Sequence, residues 1–289
     1  MRKSLLLTAI LSVLTMPALS FAEDAVAPAA AAPTPDWTFP MSVGYVTDYI
    51  FRGQSQSWGR GSFQGSIEAD HVSGFYGGLS IESVTDKWLP GANLETDFYA
   101  GFRNKIGTSD FSYDVGGIYY VYPGANWDKA YTAPAPLYNR KTLNTFEAYA
   151  AVSYKWLTLK TGRTLTDYFG WTPNNSGIGF GFNGNPKAGV TGSTKGSYFY
   201  EADASYEVIP TWTLSGQLGR QVISEAVGLD ITYYKAGVSK AFANGWVVGG
   251  FYSATNEPSA YKNYISLSNT GGTTNVAKDQ ILLSVFKTF

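Results

Sequence analysis

Residues 42–57 have the sequence SVGYVTDYIFRGQSQS, in which two kinds of side chain alternate. Successive side chains of a β-strand point to opposite faces. One face of this stretch is apolar and carries Val43, Tyr45, Tyr49 and Phe51, whereas the other carries Ser42, Gly44, Asp48 and Arg52. This period of two predicts a strand with one apolar and one polar face, a pattern that a strand of a soluble sandwich would share.

The alternation recurs along the chain, and this recurrence separates a barrel from a sandwich. From Met41 onward we count twelve such segments: Ser42–Gly53, Ser62–Val72, Phe75–Val84, Leu94–Ile106, Phe111–Tyr122, Asn144–Tyr154, Leu157–Tyr168, Ser197–Val208, Trp212–Val222, Asp230–Lys240, Trp246–Thr255 and Lys278–Phe289. Short and long connections alternate between them, and the longest are Phe169–Gly196 and Asn256–Ala277. An even strand number with this alternation is typical of bacterial outer-membrane barrels. The sequence therefore predicts an all-β, up-and-down antiparallel transmembrane β-barrel of 12 strands, with short periplasmic turns, long extracellular loops and both termini periplasmic.

The chain begins with the features of a secretory signal peptide. Arg2 and Lys3 precede an apolar run, and Ser20-Phe21-Ala22 forms a small-x-small cleavage site. Residues 23–40 are rich in Ala and Pro and predict an extended tether. We therefore expect a signal peptide at 1–22, a tether at 23–40 and the barrel at 41–289, in the outer membrane of a Gram-negative cell.

Composition narrows the expected partners. The chain has no cysteine and one histidine, so no metal-ligand spacing occurs and no metal or cofactor is predicted. A net charge of −1 does not favour nucleic acid. The predicted partners are outer-membrane lipids and lipopolysaccharide, the barrel-assembly machinery during biogenesis, and small solutes.

Aromatic residues mark one end of the predicted barrel. Four strands that follow short turns begin with an aromatic residue on the apolar face: Phe75, Phe111, Trp212 and Trp246. Such rings prefer the headgroup level of a bilayer, so they predict a periplasmic aromatic girdle. The last strand ends on Phe289, which has the form of the C-terminal signal recognised by the assembly machinery.

Arg163 does not fit this scheme. Strict alternation in Leu157–Tyr168 puts Arg163 on the lipid face near mid-depth, where an arginine costs about 2–4 kcal/mol. We expect either a bulge at Gly162 that turns Arg163 inward or a different register.

Three motifs carry a family resemblance: GYVTDYIFRGQSQS at 44–57, GSIEADHVSGFYGG at 65–78 and the terminal KTF. Together they resemble the TorF-like porin family of proteobacterial outer-membrane proteins, over essentially the whole mature chain. The resemblance implies the location and the fold, but it supplies no substrate and no functional residue.

We use lumen parity for the alternate strand positions that carry the polar side chains. These positions hold an excess of acidic residues, with eleven carboxylates against five bases. The residues that we predict to line the pore and set its selectivity are Asp48, Arg52, Glu82, Glu95, Asp97, Glu147, Glu201, Asp203 and Lys235. Six of the acids cluster toward the long-loop side, which predicts an acidic ring that favours cations. We expect Asp48 and Arg52 to lie about 13 Å apart along the first strand.

Two functions remain open at this point. The first is a porin-like channel for passive diffusion of small neutral or cationic solutes through a narrow, acidic lumen. The second is a non-conducting outer-membrane barrel with a filled lumen that serves a structural, adhesion or surface-interaction role. We do not expect an enzyme, because any Ser-His hydrolase would have to use His71, which lies at a periplasmic turn.

Overall fold

A computed structural model of the chain describes residues 35–131, 141–180, 182, 184–268 and 272–289. The expected signal peptide and most of the expected tether lie outside these residues. Trp37 and Thr38, which we assigned to the tether, pair with His71 and Asp70 and so are part of the ordered structure.

Twelve antiparallel strands form a closed barrel within the described residues, as the sequence predicts. They are β1 (Met41–Val46), β2 (Ser62–His71), β3 (Phe75–Ser83), β4 (Leu94–Lys105), β5 (Phe111–Val121), β6 (Thr145–Tyr154), β7 (Leu157–Thr164), β8 (Tyr198–Ile209), β9 (Trp212–Val222), β10 (Ile231–Ala241), β11 (Trp246–Thr255) and β12 (Gln280–Thr288). Each strand pairs with its neighbours in sequence. Closure between β12 and β1 runs from Ser284 opposite Val46 to Thr288 opposite Ser42, so the barrel has no open edge.

Short elements occupy the connections. Two-residue strands lie at Trp37–Thr38, Ile50–Phe51, Gln54–Ser55, Gly189–Val190, Ala226–Val227, Tyr264–Ile265 and Thr273–Thr274. Two 3-10 helices span Trp127–Lys129 and Tyr168–Gly170, and two α-helical turns span Pro173–Ser176 (α1) and Ser259–Lys262 (α2). Among the described residues, no helix has the length and apolar content needed to cross a membrane.

The connections alternate as expected. Short turns follow β2, β4, β6, β8 and β10, and the longer connections follow the odd-numbered strands. The first and last ordered strands end together at the short-turn end, where the Phe289 N–H donates to the Met41 carbonyl at 3.0 Å. The barrel therefore has a short-turn end, which holds both termini of the sheet, and a long-loop end.

The outer wall is apolar. Outward side chains such as Phe63 and Ile281 are 73% and 75% exposed. The four residues predicted as a girdle, Phe75, Phe111, Trp212 and Trp246, are all exposed first residues of strands that leave short turns. Their shared level at the short-turn end agrees with a girdle, whose role stays a prediction.

Two strands end earlier than predicted. The first ends at Val46 rather than Gly53, and Tyr49 and Phe51, which we expected to face lipid, are 1% and 2% exposed. β7 ends at Thr164 rather than Tyr168. In both places the chain turns inward, and large aromatic side chains that follow the strand end are buried in the barrel mouth, among them Phe51 and Phe169.

Arg163 faces outward, and neither expected exception occurs. The pairing of β7 with β8 continues without a shift through Gly162, so no bulge is present. Since β7 ends at Thr164, Arg163 lies near the long-loop end rather than at mid-depth. Its Nε donates to the Gly196 carbonyl at 3.2 Å.

Candidate functional site: the barrel lumen

An inward hairpin is the central feature of the lumen. Ile50–Phe51 pairs with Gln54–Ser55, and the two residues between them, Arg52 and Gly53, have φ values of 45° and 82°. A two-residue turn with both φ values positive has the twist that suits a tight hairpin. We call residues 47–57 the lumen hairpin. We predicted these residues as a continuation of the first strand, because apolar and polar side chains alternate in the lumen hairpin as they do in a strand.

Close packing fixes the tip of the lumen hairpin. A Cβ on Gly53 would lie 2.7 Å from Thr255 Cγ2 and 2.8 Å from Tyr233 Cβ, which belong to β11 and β10. At the base, the hydroxyls of Ser55 and Ser57 each lie 2.6 Å from one oxygen of Asp48. Asp48 is thus a structural residue of the hairpin, and its expected 13 Å spacing from Arg52 along one strand does not apply.

Arg52 reaches across the lumen to Glu147 on β6. Its two terminal nitrogens donate to the two carboxylate oxygens at 2.9 and 2.7 Å, and Nη1 also donates to Gln221 at 2.7 Å. The guanidinium lies 3.7 Å from the ring centroid of Phe199. Arg52 and Glu147 are 3% and 2% exposed. This is a buried bidentate ion pair, the strongest type of charged hydrogen bond in proteins.

A second group of predicted residues forms an acidic cluster on β3 and β4. Glu82 pairs directly with Glu95, and Asp97 lies opposite Ser80. The three carboxylates are 2%, 0% and 0% exposed. Tyr122 donates to Glu95 at 2.8 Å, but neither oxygen of Asp97 accepts a hydrogen bond of ordinary geometry. No ion pair of the described part of the chain includes these three residues.

The remaining predicted residues lie on the opposite wall. Tyr233 donates to Glu201 at 2.8 Å, and Gln217 donates to Asp203 at 3.0 Å. Lys160 is the cross-strand partner of Glu201, and Lys235 pairs with Gln217. These acids therefore have bases nearby, unlike the acidic cluster. The six acids that we expected in one ring form separate groups on facing walls.

Aromatic side chains cover the long-loop end. Phe169 contacts Phe51 of the lumen hairpin at 5.9 Å between ring centroids, and Trp171 contacts Phe182 at 5.6 Å. Phe182 contacts Tyr264 at 5.8 Å. These side chains are all 4% exposed or less. The aromatic side chains of Phe169, Trp171 and Phe182 therefore fold into the mouth.

A polar cluster lies in the lumen near the short-turn end, and the sequence analysis did not select it. Arg103 contacts both Glu68 and Asp70, and its guanidinium lies 4.4 Å from the ring centroid of Tyr76. Tyr76 donates to Asp114 at 2.7 Å. These residues have lumen parity on their strands, and so does Gln221, the partner of Arg52. The alternation of side chains therefore predicts that these residues face the lumen, but only the fold shows which of them contact each other.

His71 has a local role at its turn. Its Nδ1 lies 2.7 Å from the hydroxyl of Ser73, two residues along, and its ring lies 4.7 Å from that of Trp37. Both His71 and Ser73 are at the short-turn end, away from the acidic cluster. In the described residues, no group of three or more histidine or acidic side chains has a metal-binding arrangement.

Comparison with known protein families identifies the chain. Residues 30–289 match the model of a family described as a bacterial protein of unknown function, Gcw_chp. The chain belongs to the Gcw_chp family. This family name differs from that of the TorF-like porins, so the resemblance given by the motifs is not confirmed by name. No curated protein matches the chain.

Solved barrels resemble the structure at low identity. The KdgM porin in complex with disordered oligogalacturonate is 9% identical, with a TM-score of 0.49 over 86% of this chain and 99% of that one. The COG4313 outer membrane channel from Pseudomonas putida F1 is 13% identical, with a TM-score of 0.46 over 92% of this chain and 100% of that one. The similarity is one of architecture and carries no information about solutes.

Proposed function

We propose that this member of the Gcw_chp family is an outer-membrane channel for passive diffusion of small neutral or cationic solutes, with the lumen hairpin as its occluding element. The observation that carries the proposal is the excess of buried carboxylates in the lumen.

The outer wall supports a location in the outer membrane. A closed barrel leaves no unpaired strand edge, which hydrocarbon would not tolerate. The exposed apolar side chains of the wall would face lipid, and the exposed Trp212 and Trp246 would lie at headgroup level. Short turns and both sheet termini would then be periplasmic, and the long loops extracellular.

The charge of the lumen supports a path for cations. Among the described residues, eight carboxylates but only two bases, Arg52 and Lys160, are buried. A lumen packed only for stability would pair its charges, because an unpaired buried charge costs several kcal/mol. Three carboxylates without a base, Glu82, Glu95 and Asp97, instead suit a hydrated path in which they attract cations and repel anions.

The lumen hairpin supports occlusion of this path. It carries Phe51 and Arg52 into the barrel and links the mouth aromatics to Glu147 on the far wall. Since it is one connection between β1 and β2, its displacement leaves the barrel strands paired. A passage past the acidic cluster would then open without any change in the sheet.

Reversal potentials test the proposed selectivity. The purified protein is inserted into planar bilayers with a salt gradient, alone and as the triple variant Glu82→Gln, Glu95→Gln and Asp97→Asn. We expect cation preference in the wild type and a clear loss of it in the variant. Asp110→Asn, an exposed acid at a short turn, is the control and should leave the reversal potential unchanged. Anion preference of the wild type would contradict the proposal.

The filled mouth favours the second candidate function, a non-conducting barrel with a structural or surface-interaction role. Trp171, Phe182 and Tyr264 lie almost fully buried over the long-loop end. A variant in which residues 50–55 are replaced by a short Gly-Ser turn decides between the two functions. If this variant and the wild type both fold and neither conducts, the second function holds.

A further inference from the structure

An apolar groove runs along the outer wall at β6 to β10. The part nearer the long-loop end has a volume of about 810 Å³ and is lined by outward residues that include Ala150, Leu159, Ala202 and Leu218. A second depression of about 370 Å³ continues it toward the short-turn end and shares Ala202 and Leu218. Small side chains such as Ala150 and Ala202 form the floor of the groove, whereas the neighbouring parts of the outer wall carry large apolar side chains at the equivalent outward positions.

Two arginines lie at the long-loop end of the groove. Arg220 lines the groove itself and is the cross-strand partner of Tyr200. Arg163 pairs with Tyr198, one outward position nearer the long loops. Strand spacing puts the two Cα atoms roughly 12 Å apart, within the joint reach of two arginine side chains. Tyr198 and Tyr200, both exposed, lie on β8, the strand between the two arginines.

The guanidinium groups have capacity for an anion. Only Nε of Arg163 has an acceptor among the described residues, the carbonyl of Gly196. Arg220 is held by Asp230 and Thr232, each at 3.1 Å, which fixes its guanidinium at the long-loop end. Because Asp230 offsets part of the Arg220 charge, Arg163 contributes the larger share of the attraction, and the exposed Lys195 next to Gly196 adds to it.

We propose that this groove binds a membrane lipid with a phosphorylated headgroup, its acyl chain along Ala202 and Leu218 and its phosphate between Arg163 and Arg220. Arginine suits this role because its planar fork donates in pairs to phosphate oxygens. The site also explains why an arginine stands on an otherwise apolar wall. The inference rests on the proposed membrane location, but it does not require that the barrel conducts.

Lipid retention tests the site. The full protein in neutral detergent is titrated with diphosphorylated lipid A, with the dephosphorylated lipid and with inorganic phosphate, and bound lipid is counted by native mass spectrometry. We expect the phosphorylated lipid to bind and the double variant Arg163→Gln and Arg220→Gln to bind it roughly tenfold more weakly or worse. Lys278→Gln, which removes one exposed positive charge elsewhere at the long-loop end, is the control.

A second variant examines the groove. Ala202→Trp fills the shared segment and should weaken lipid binding while both arginines remain. If the dephosphorylated lipid binds as tightly as the phosphorylated one, the groove makes only ordinary contacts with lipid. If inorganic phosphate binds as tightly as the phosphorylated lipid, the arginines form an anion site that does not need an acyl chain. Either result overturns the proposal. Cation conduction, measured on the same samples, reports separately on the proposed channel.

Discussion

Replacing Arg52 with methionine is the perturbation that the structure makes most informative. The substitution removes a bidentate ion pair to Glu147, a hydrogen bond to Gln221 and the stacking on Phe199. It leaves the Glu147 carboxylate, 2% exposed, without its base. The lumen hairpin would lose its tie to the far wall.

The expected cost follows from the charges. Two unit charges about 4 Å apart interact by about 4 kcal/mol at the effective dielectric of a protein. Removing one partner of a buried pair costs about 3–5 kcal/mol, because the remaining charge stays desolvated. Methionine keeps much of the arginine stem volume, so the loss reflects the charge more than a cavity. We therefore expect Arg52→Met to lower the free energy of unfolding by several kcal/mol.

Unfolding by urea in lipid vesicles, followed by tryptophan fluorescence, measures this change. The double variant Arg52→Met and Glu147→Leu should recover most of the lost stability, because apolar residues often replace a buried pair without loss. Arg60→Gln is the matched control, since Arg60 is an exposed arginine of the same connection.

Single-channel recording of the same variants connects the ion pair to gating. Both variants that lack Arg52 should conduct more often than the wild type, because the hairpin is no longer tied to Glu147. Wild-type stability and wild-type conductance of Arg52→Met would together refute the view that this ion pair holds the hairpin in the lumen.

Three further predictions concern other parts of the barrel. Gly53→Ala should destabilise the protein by about 1–3 kcal/mol in the same urea assay, since φ is 82° and the new Cβ would press against Tyr233; stability equal to wild type would mean that the hairpin tip is loosely packed. Burial raises the pKa of Asp167, but hydrogen bonds from Lys141 and Ser193 outweigh it and hold the pKa below its usual value. The stabilisation from Asp167 is therefore complete above the ordinary carboxyl pKa and is lost as pH falls through the depressed one. Amide protection of residues 168–180, after correction for the intrinsic exchange rate at each pH, should therefore fall in acid in the wild type but not in Asp167→Asn. Phe289→Ala should reduce assembly in cells but not refolding in detergent, and equal loss in both would assign Phe289 a structural role instead.

Much of the barrel could be predicted from local patterns. The period of two located all twelve strands, and most observed boundaries agree with the predicted ones within a residue or two. The first strand was the main error, because residues 47–57 alternate like a strand while folding into the lumen. Alternation records which side chains share a face, but it does not record whether that face meets lipid or the barrel interior.

The candidate site was only partly predictable. Parity identified Glu82, Glu95 and Asp97 as lumen residues, and two of them face each other directly. It did not indicate that Arg52 would bind Glu147 rather than join a ring, or that Phe169, Trp171 and Phe182 would cover the mouth. Those outcomes depend on which side chains fill the space that remains inside a closed barrel.

The sequence by itself determined the strands, their order and the apolar outer wall, because these follow from side-chain period and connection length. The tertiary structure decided the lumen. Arg52 and Glu147 are 95 residues apart in the chain, and their pairing exists only after closure brings β6 opposite the hairpin. Burial then makes this contact costly to break, since a charge that loses its partner stays desolvated.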